Sequence, residues 1–387
     1  MESIPVNSQE LSYALNTFYL FVASSLVMWM MCGFTLLECG LSKTQSATNI
    51  FIKNLSLFAL ASLVYLGIGY DVMFNSSGEG FLPSLRHTFH FMFHAHSKGM
   101  ESLNLSESAF FFFQGVCGVV CILIISLAMT DRLGTGAFLI FSIMMIGGIY
   151  PVQGYWNWGG GFLEEREFMD FAGSGSIHLA AASAALAGLF LFKSNQSNNE
   201  EHDRSFYWVS LGSMMLWIGG LGLNGGSQLV ISTPEDARSV SLVILNTHLS
   251  TSGGLLGGLL VSRFLRGRIE FHQVIRGAIA GWVAITAEPV TPLPFYAVLI
   301  GVIGGTLICL AIFALEKFKT DSSGWATVIT HGVGGIWGLL AVPMTNSEAG
   351  FISQIVGLVV IFCWVFTTSF ITWLSIKLVL EKKLVQV

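Results

Sequence analysis

Along the chain, nearly uncharged stretches of about 20 residues alternate with short turns rich in Gly, Pro or polar side chains. This pattern predicts eleven helices, at about 13 to 39, 48 to 74, 109 to 130, 134 to 156, 173 to 193, 206 to 226, 239 to 264, 272 to 290, 295 to 316, 325 to 343 and 351 to 378. Each is long enough and apolar enough to be solvated by lipid. The fold class expected is therefore all-α integral membrane, as a single transmembrane domain over residues 1–387.

Composition agrees. Of 387 residues 53% are hydrophobic and 11% charged, where a soluble domain carries about 25% charged residues. A cytosolic globule is excluded. No basic tail or Lys/Arg-rich face marks a nucleic-acid partner. The six cysteines (32, 39, 117, 121, 309, 363) lack metal-ligand spacing and read as small core residues. Met1 to Glu10 carries two Glu and no Lys or Arg, so it lacks the basic region of a signal peptide and the first helix is expected to be retained.

Charge then assigns the sides. With eleven spans, 14 of the 18 Lys and Arg fall on one side, that of the C-terminus, and only Arg86, Lys98, Arg166 and Arg238 on the other. By the positive-inside rule the N-terminus lies outside and the C-terminus in the cytoplasm. Fourteen of the 23 acids fall outside, so the outer face concentrates cations.

Helices 5 and 10 each carry one histidine, His178 and His331, early in a run of small and apolar residues. Five helices separate them, so two halves run in opposite directions, as in an inverted-repeat transporter with its site near the midplane. The expected division is repeat one at about 13–193, repeat two at about 206–343 and an extra helix at about 351–378. Imidazoles at membrane depth are costly and face a cavity or polar partner; as a pair they can line a path or pass a proton. Asp170, Ser174 and His178 are spaced to share one helical face. Asp170 either caps the helix N-terminus or supports a cation site electrostatically, and both roles stay open. Trp156 and Trp158 at the outer boundary are interfacial anchors or π faces for a small cation. His87, His90, His94 and His96 form a histidine cluster without Cys or carboxylate, so no metal site is assigned. No phosphate-binding loop, nucleophile elbow or zinc-protease motif occurs; no cofactor and no enzyme activity are expected.

Asp170-Phe-Ala-Gly-Ser-Gly-Ser-Ile-His178, Trp158-Gly-Gly-Gly161, Gly222-Leu-Asn-Gly-Gly-Ser227 and Thr330-His-Gly-Val-Gly-Gly335, in this order on eleven spans, resemble the ammonium transporter (Amt/Mep/Rh) family over essentially the whole chain. The resemblance implies a homotrimer with one pore per subunit. Ammonium or ammonia is its ligand. Trp158 and Ser227 would recruit ammonium outside, Asp170 would keep that site intact, and His178 with His331 would line the pore below. An apolar pore excludes the cation far more strongly than the neutral amine.

The chain departs from the family pattern at several points. Of the family's paired aromatic gate, Phe113 matches the first position, but Cys117 stands where the second ring is expected. Leu223 replaces a phenylalanine in the helix 6 motif, and Ala326 replaces an acid five residues before the second histidine. The sequence ends at Val387 without the family's long cytoplasmic tail. Together these favour the membrane part of an ammonium sensor, its last helix continuing into a cytoplasmic signalling module. An ordinary ammonium transporter or channel is the alternative. The charge asymmetry is checked with an epitope placed after Val387, which should be reached only from the cytoplasmic side; labelling on intact cells would overturn the orientation.

Overall fold

The computed structural model describes residues 7–74, 80–94, 103–193, 204–317 and 322–385. Within them the chain forms eleven long helices. These are α1 (Ser8–Leu41), α2 (Ala47–Phe74), α3 (Glu107–Met129), α4 (Thr135–Trp158), α5 (Ser174–Leu191) and α6 (Arg204–Gly226). They are followed by α7 (Pro234–Arg266), α8 (Phe271–Ile285), α9 (Pro294–Glu316), α10 (Ser322–Thr345) and α11 (Phe351–Val385). Each expected span appears as one helix, with no strand among the described residues. The protein is an all-α, multi-pass membrane protein.

Nine of these helices are long and apolar enough to cross a membrane. The other two, α7 and α8, do not reach that measure by themselves. α8 is 15 residues long. α7 carries Asn246, Thr247, Ser250 and Thr251, all buried. Their donor groups are matched inside the protein. Asn246 Nδ2 donates to the Pro289 and Pro292 carbonyls (2.9 and 2.7 Å), and Ser250 Oγ to the Gly281 carbonyl (2.7 Å). Lipid supplies no partners, so such groups must be satisfied by protein. Glycines let the backbones close up: a β-carbon on Gly301 of α9 would overlap the Ser250 carbonyl of α7. α7 begins five residues earlier than expected because Thr233 and Asp236 form a reciprocal capping box around Pro234.

α1 packs along α6, α5 along α10, and α11 crosses α5. α2 and α4 each widen into a π-helical turn, Tyr65–Gly69 and Met145–Ile149, and the two turns touch. A third such turn, Ser174–Leu179, opens α5 and contains His178. His331 lies near the middle of α10, deeper than its expected early position, because α10 starts at Ser322 rather than at Trp325.

A polar cluster that hydropathy does not signal joins α1 to α4. Lys53 Nζ pairs with Glu38, both fully buried. Glu38 Oε2 accepts from Asn54 Nδ2 (2.8 Å) and Ser126 Oγ (3.3 Å), and the ammonium lies 4.6 Å from the Phe138 ring centroid. Removing one member strands the other charge. Lys53→Met should therefore cost about 3 to 5 kcal/mol, read as loss of monodisperse protein after heating in detergent. Lys53→Met combined with Glu38→Leu should recover most of that loss, and a double variant no better than the single one would refute the charge argument.

Candidate functional site

The site is organised by the break between α4 and α5. Helix α4 ends at Trp158, and α5 starts only after Gly173, whose φ of +102° is open to glycine but strained for other residues. Asp170 therefore does not share a helical face with Ser174 and His178, as its spacing suggested; it lies in the irregular segment and turns back on the helix start. Its Oδ2 accepts from the amides of Gly175 (3.0 Å) and Ser176 (2.7 Å), two of the donors a helix N-terminus leaves open. Burial pushes the Asp170 carboxyl up to about 6, against the lowering effect of those amide bonds. The Asp170 carbonyl in turn accepts from Trp158 Nε1 (3.0 Å) and Asn157 Nδ2 (3.3 Å). Phe171 and Ala172 donate to the carbonyls of Ala287 and Thr286 just beyond α8 (2.8 and 2.9 Å). The segment is thus fixed from both sides.

Next to it is a cavity of about 280 Å³, lined among others by Phe113, Gln114, Cys117, Trp158, Ser227 and Leu229. Four residues singled out from the sequence meet here: Trp158, Ser227, Phe113 and Cys117. Asp170 and Leu223 do not line it. Leu223 is buried one turn below Ser227, and its carbonyl accepts the Ser227 hydroxyl proton (2.9 Å). That bond leaves the Ser227 lone pairs as acceptors. An acceptor hydroxyl, an amide and an indole thus meet in one cavity with no Lys or Arg among its lining residues. Phe113 is seated on Gly226, where any β-carbon would overlap its ring.

His178 and His331 do not line this cavity, although Ile177 does. Both rings are buried, 5.1 Å apart between centroids and inclined by 22°, with Nδ1 to Nδ1 at 3.2 Å. Trp282 meets His178 edge-on at 4.8 Å, and Phe34 lies 6.1 Å from His331. One Nδ1 must carry the proton and the other accept it. The outward Nε2 atoms are then one donor and one acceptor, a polarity set by the shared proton. His178 Nε2 has no partner among the described residues.

The remaining candidates fall elsewhere. Trp156 is fully buried, with Nε1 donating to Phe81 O (2.5 Å), and is not an interfacial anchor. His90 and His94 stack at 4.7 Å on a short turn of helix. His96 lies outside the described residues.

The ammonium transporter family model matches residues 18–385. The chain belongs to the ammonium transporter family. A putative ammonium transporter of Synechocystis is 33% identical over 93% of this chain and 83% of its own length. An ammonium transporter of Archaeoglobus fulgidus is 30% identical, over 93% and 82%. A solved sensor Amt protein superimposes with a TM-score of 0.86 at 29% identity, covering 95% of this chain and 94% of that one.

In this ammonium transporter family member, sequence reasoning passed over Gln114 and Leu229. Gln114 is 8% exposed, and no hydrogen bond holds its amide among the described residues, so it remains free to face the cavity. A lone glutamine in an apolar run was the available signal. Leu229 gave none, since an aliphatic residue beside a span is unremarkable in sequence.

The Asp170 geometry sets two expectations for thermal unfolding in detergent. Asp170→Ala leaves the Gly175 and Ser176 amides without a partner and should cost about 2 to 4 kcal/mol. Asp170→Asn keeps an acceptor. Because the folded carboxyl binds its proton more tightly than an ordinary one, the wild type gains stability below the usual carboxylate range of about 4 and loses it as pH rises through about 6. Its advantage over Asp170→Asn should shrink in that window, and a gap independent of pH would refute the assignment.

Proposed function

We propose that this protein recognises ammonium in the outer cavity between Trp158 and Ser227, above a closed pore marked by His178 and His331, and that it does so as an ammonium sensor. The observation that carries the reading is the cavity itself. It unites a π face, a hydroxyl oxygen and an amide at one place without a competing cation, and the paired imidazoles lie buried beyond Ile177. Asp170 acts through Trp158, by holding the segment that accepts the indole N–H. A pore of apolar side chains around the rings penalises the charged ion far more than ammonia.

Sensing is favoured by the constriction. Phe113 and the small Cys117 stand where two rings are usual in the family, and the cavity lining ends at Ile177 without including either histidine. The likeness to a sensor Amt protein over nearly the whole chain points the same way. Transport of ammonia or ammonium is the second reading, supported by the retained histidine pair and by relatives named as ammonium transporters. Neither reading calls for an enzyme in this chain.

The same proposal divides the chain into repeats at about 13–193 and 206–343 with α11 as the extra helix. Packing of α1 on α6 and of α5 on α10 supports it, since these are the helices a two-fold pseudo-axis would pair. It also places the N-terminus outside and the C-terminus in the cytoplasm of a cell-membrane homotrimer, with any signalling module following α11.

Solid-supported membrane electrometry on proteoliposomes separates the readings. A sensor should give a brief ammonium-evoked transient whose decay does not change with the lipid-to-protein ratio, and Trp158→Ala should weaken it. A sustained current that decays faster with more protein and disappears in His178→Ala would establish transport and end the sensing proposal.

A further inference from the structure

We infer that Asn16, which does not line the cavity, is the positioning residue that sets its two walls against each other; the inference rests on reading that cavity as the ammonium site. Asn16 is the ninth residue of α1 and is 2% exposed. Its Oδ1 accepts from two consecutive amides, Ile231 (2.9 Å) and Ser232 (3.0 Å). Its Nδ2 donates to the carbonyls of Leu103 and Asn104, at 3.4 Å each. All the hydrogen-bonding capacity of the amide is thereby used.

These partners belong to different walls. Leu103 and Asn104 lead into α3, which carries Phe113, Gln114 and Cys117. Ile231 and Ser232 follow the turn after α6, in which Ser227 and Leu229 lie. One amide group therefore joins the two chain segments that bring Phe113, Gln114 and Cys117 on one side and Ser227 and Leu229 on the other to the cavity lining.

The backbone on both sides needs such a hold. Leu229 has φ +64° and Asn104 φ +47°, in the left-handed region. A leucine stays there only where its surroundings over-determine it. The amides two and three residues beyond Leu229 are the ones Asn16 accepts. The rest of α1's outer end makes parallel ties. Ser12 Oγ donates to Ser232 Oγ (2.7 Å), Thr17 Oγ1 accepts from the Ser106 amide (3.0 Å), and the Tyr19 hydroxyl donates to the Gly225 carbonyl.

Loss of Asn16 frees Leu229 to return to ordinary backbone angles and moves the Ser227 segment relative to α3. A small ion that needs both walls at once suffers most; a larger cation bridges the wider gap. The test is equilibrium binding of ammonium chloride and of methylammonium chloride to the purified protein. Asn16→Ala should weaken ammonium binding about tenfold, the scale of a lost buried amide. Methylammonium binding should fall by no more than about threefold, since a purely destabilised fold would divide both affinities by one common factor. Ser24→Ala, which removes a hydroxyl bonded only within α1, should change neither. If Asn16→Ala does not fold, Asn16→Asp applies the same criterion, because it keeps an oxygen for the two amides and loses both donors. Equal loss for both cations, or no loss, overturns the inference. A wild type that binds neither cation instead sinks the ammonium reading itself.

Discussion

One carboxylate holds the gap in the chain on which the cavity beside Trp158 depends. Asp170 takes the free amides at the start of α5, and this lets a helix begin abruptly below an irregular segment without leaving donors bare in a medium that cannot hydrate them. Once the segment is fixed, its carbonyls become attachment points. Trp158 and Asn157 hang from the Asp170 carbonyl, and the neighbouring residues reach the end of α8. The indole that faces the cavity is thus placed by backbone geometry several residues downstream of it.

The same need for internal partners explains what the sequence revealed and what it did not. Runs of apolar residues specify spans by themselves, so the helices were legible to within a few residues. Their ends were less so, since capping decides them: Thr233 with Asp236 lengthens α7, and Gly173 shortens α5. α7 and α8 lie at the margin of hydropathy because their stabilisation comes from contact with each other and with α9, through Ser250, Asn246 and closely packed glycines.

Residues with unusual chemistry for their surroundings stood out in the sequence: two histidines, an aspartate before a helix, a tryptophan before three glycines. The structure brings Trp158 and Ser227 to one cavity and the two imidazoles to one hydrogen bond, from positions far apart in the chain. Asp170 was read onto the wrong face because an ideal helical period was extended across a glycine with positive φ. Glu38 and Lys53 were visible only as charges near span ends. Their pairing depends on the angle at which α1 meets α2, which periodicity does not encode.

The Nδ1 to Nδ1 contact of His178 and His331 also carries a short memory. A proton accepted at the bare Nε2 of one ring would push the shared proton to the other Nδ1 and release the proton on the far Nε2. The pair would then be left in its mirror arrangement, with the entry nitrogen now protonated. A second proton from the same side would find no acceptor until the shared proton and both outer nitrogens had been restored. Two such rings therefore behave as a ratchet tooth that must be reset after each passage, so any proton traffic through them is limited by the rate of return as well as the rate of arrival.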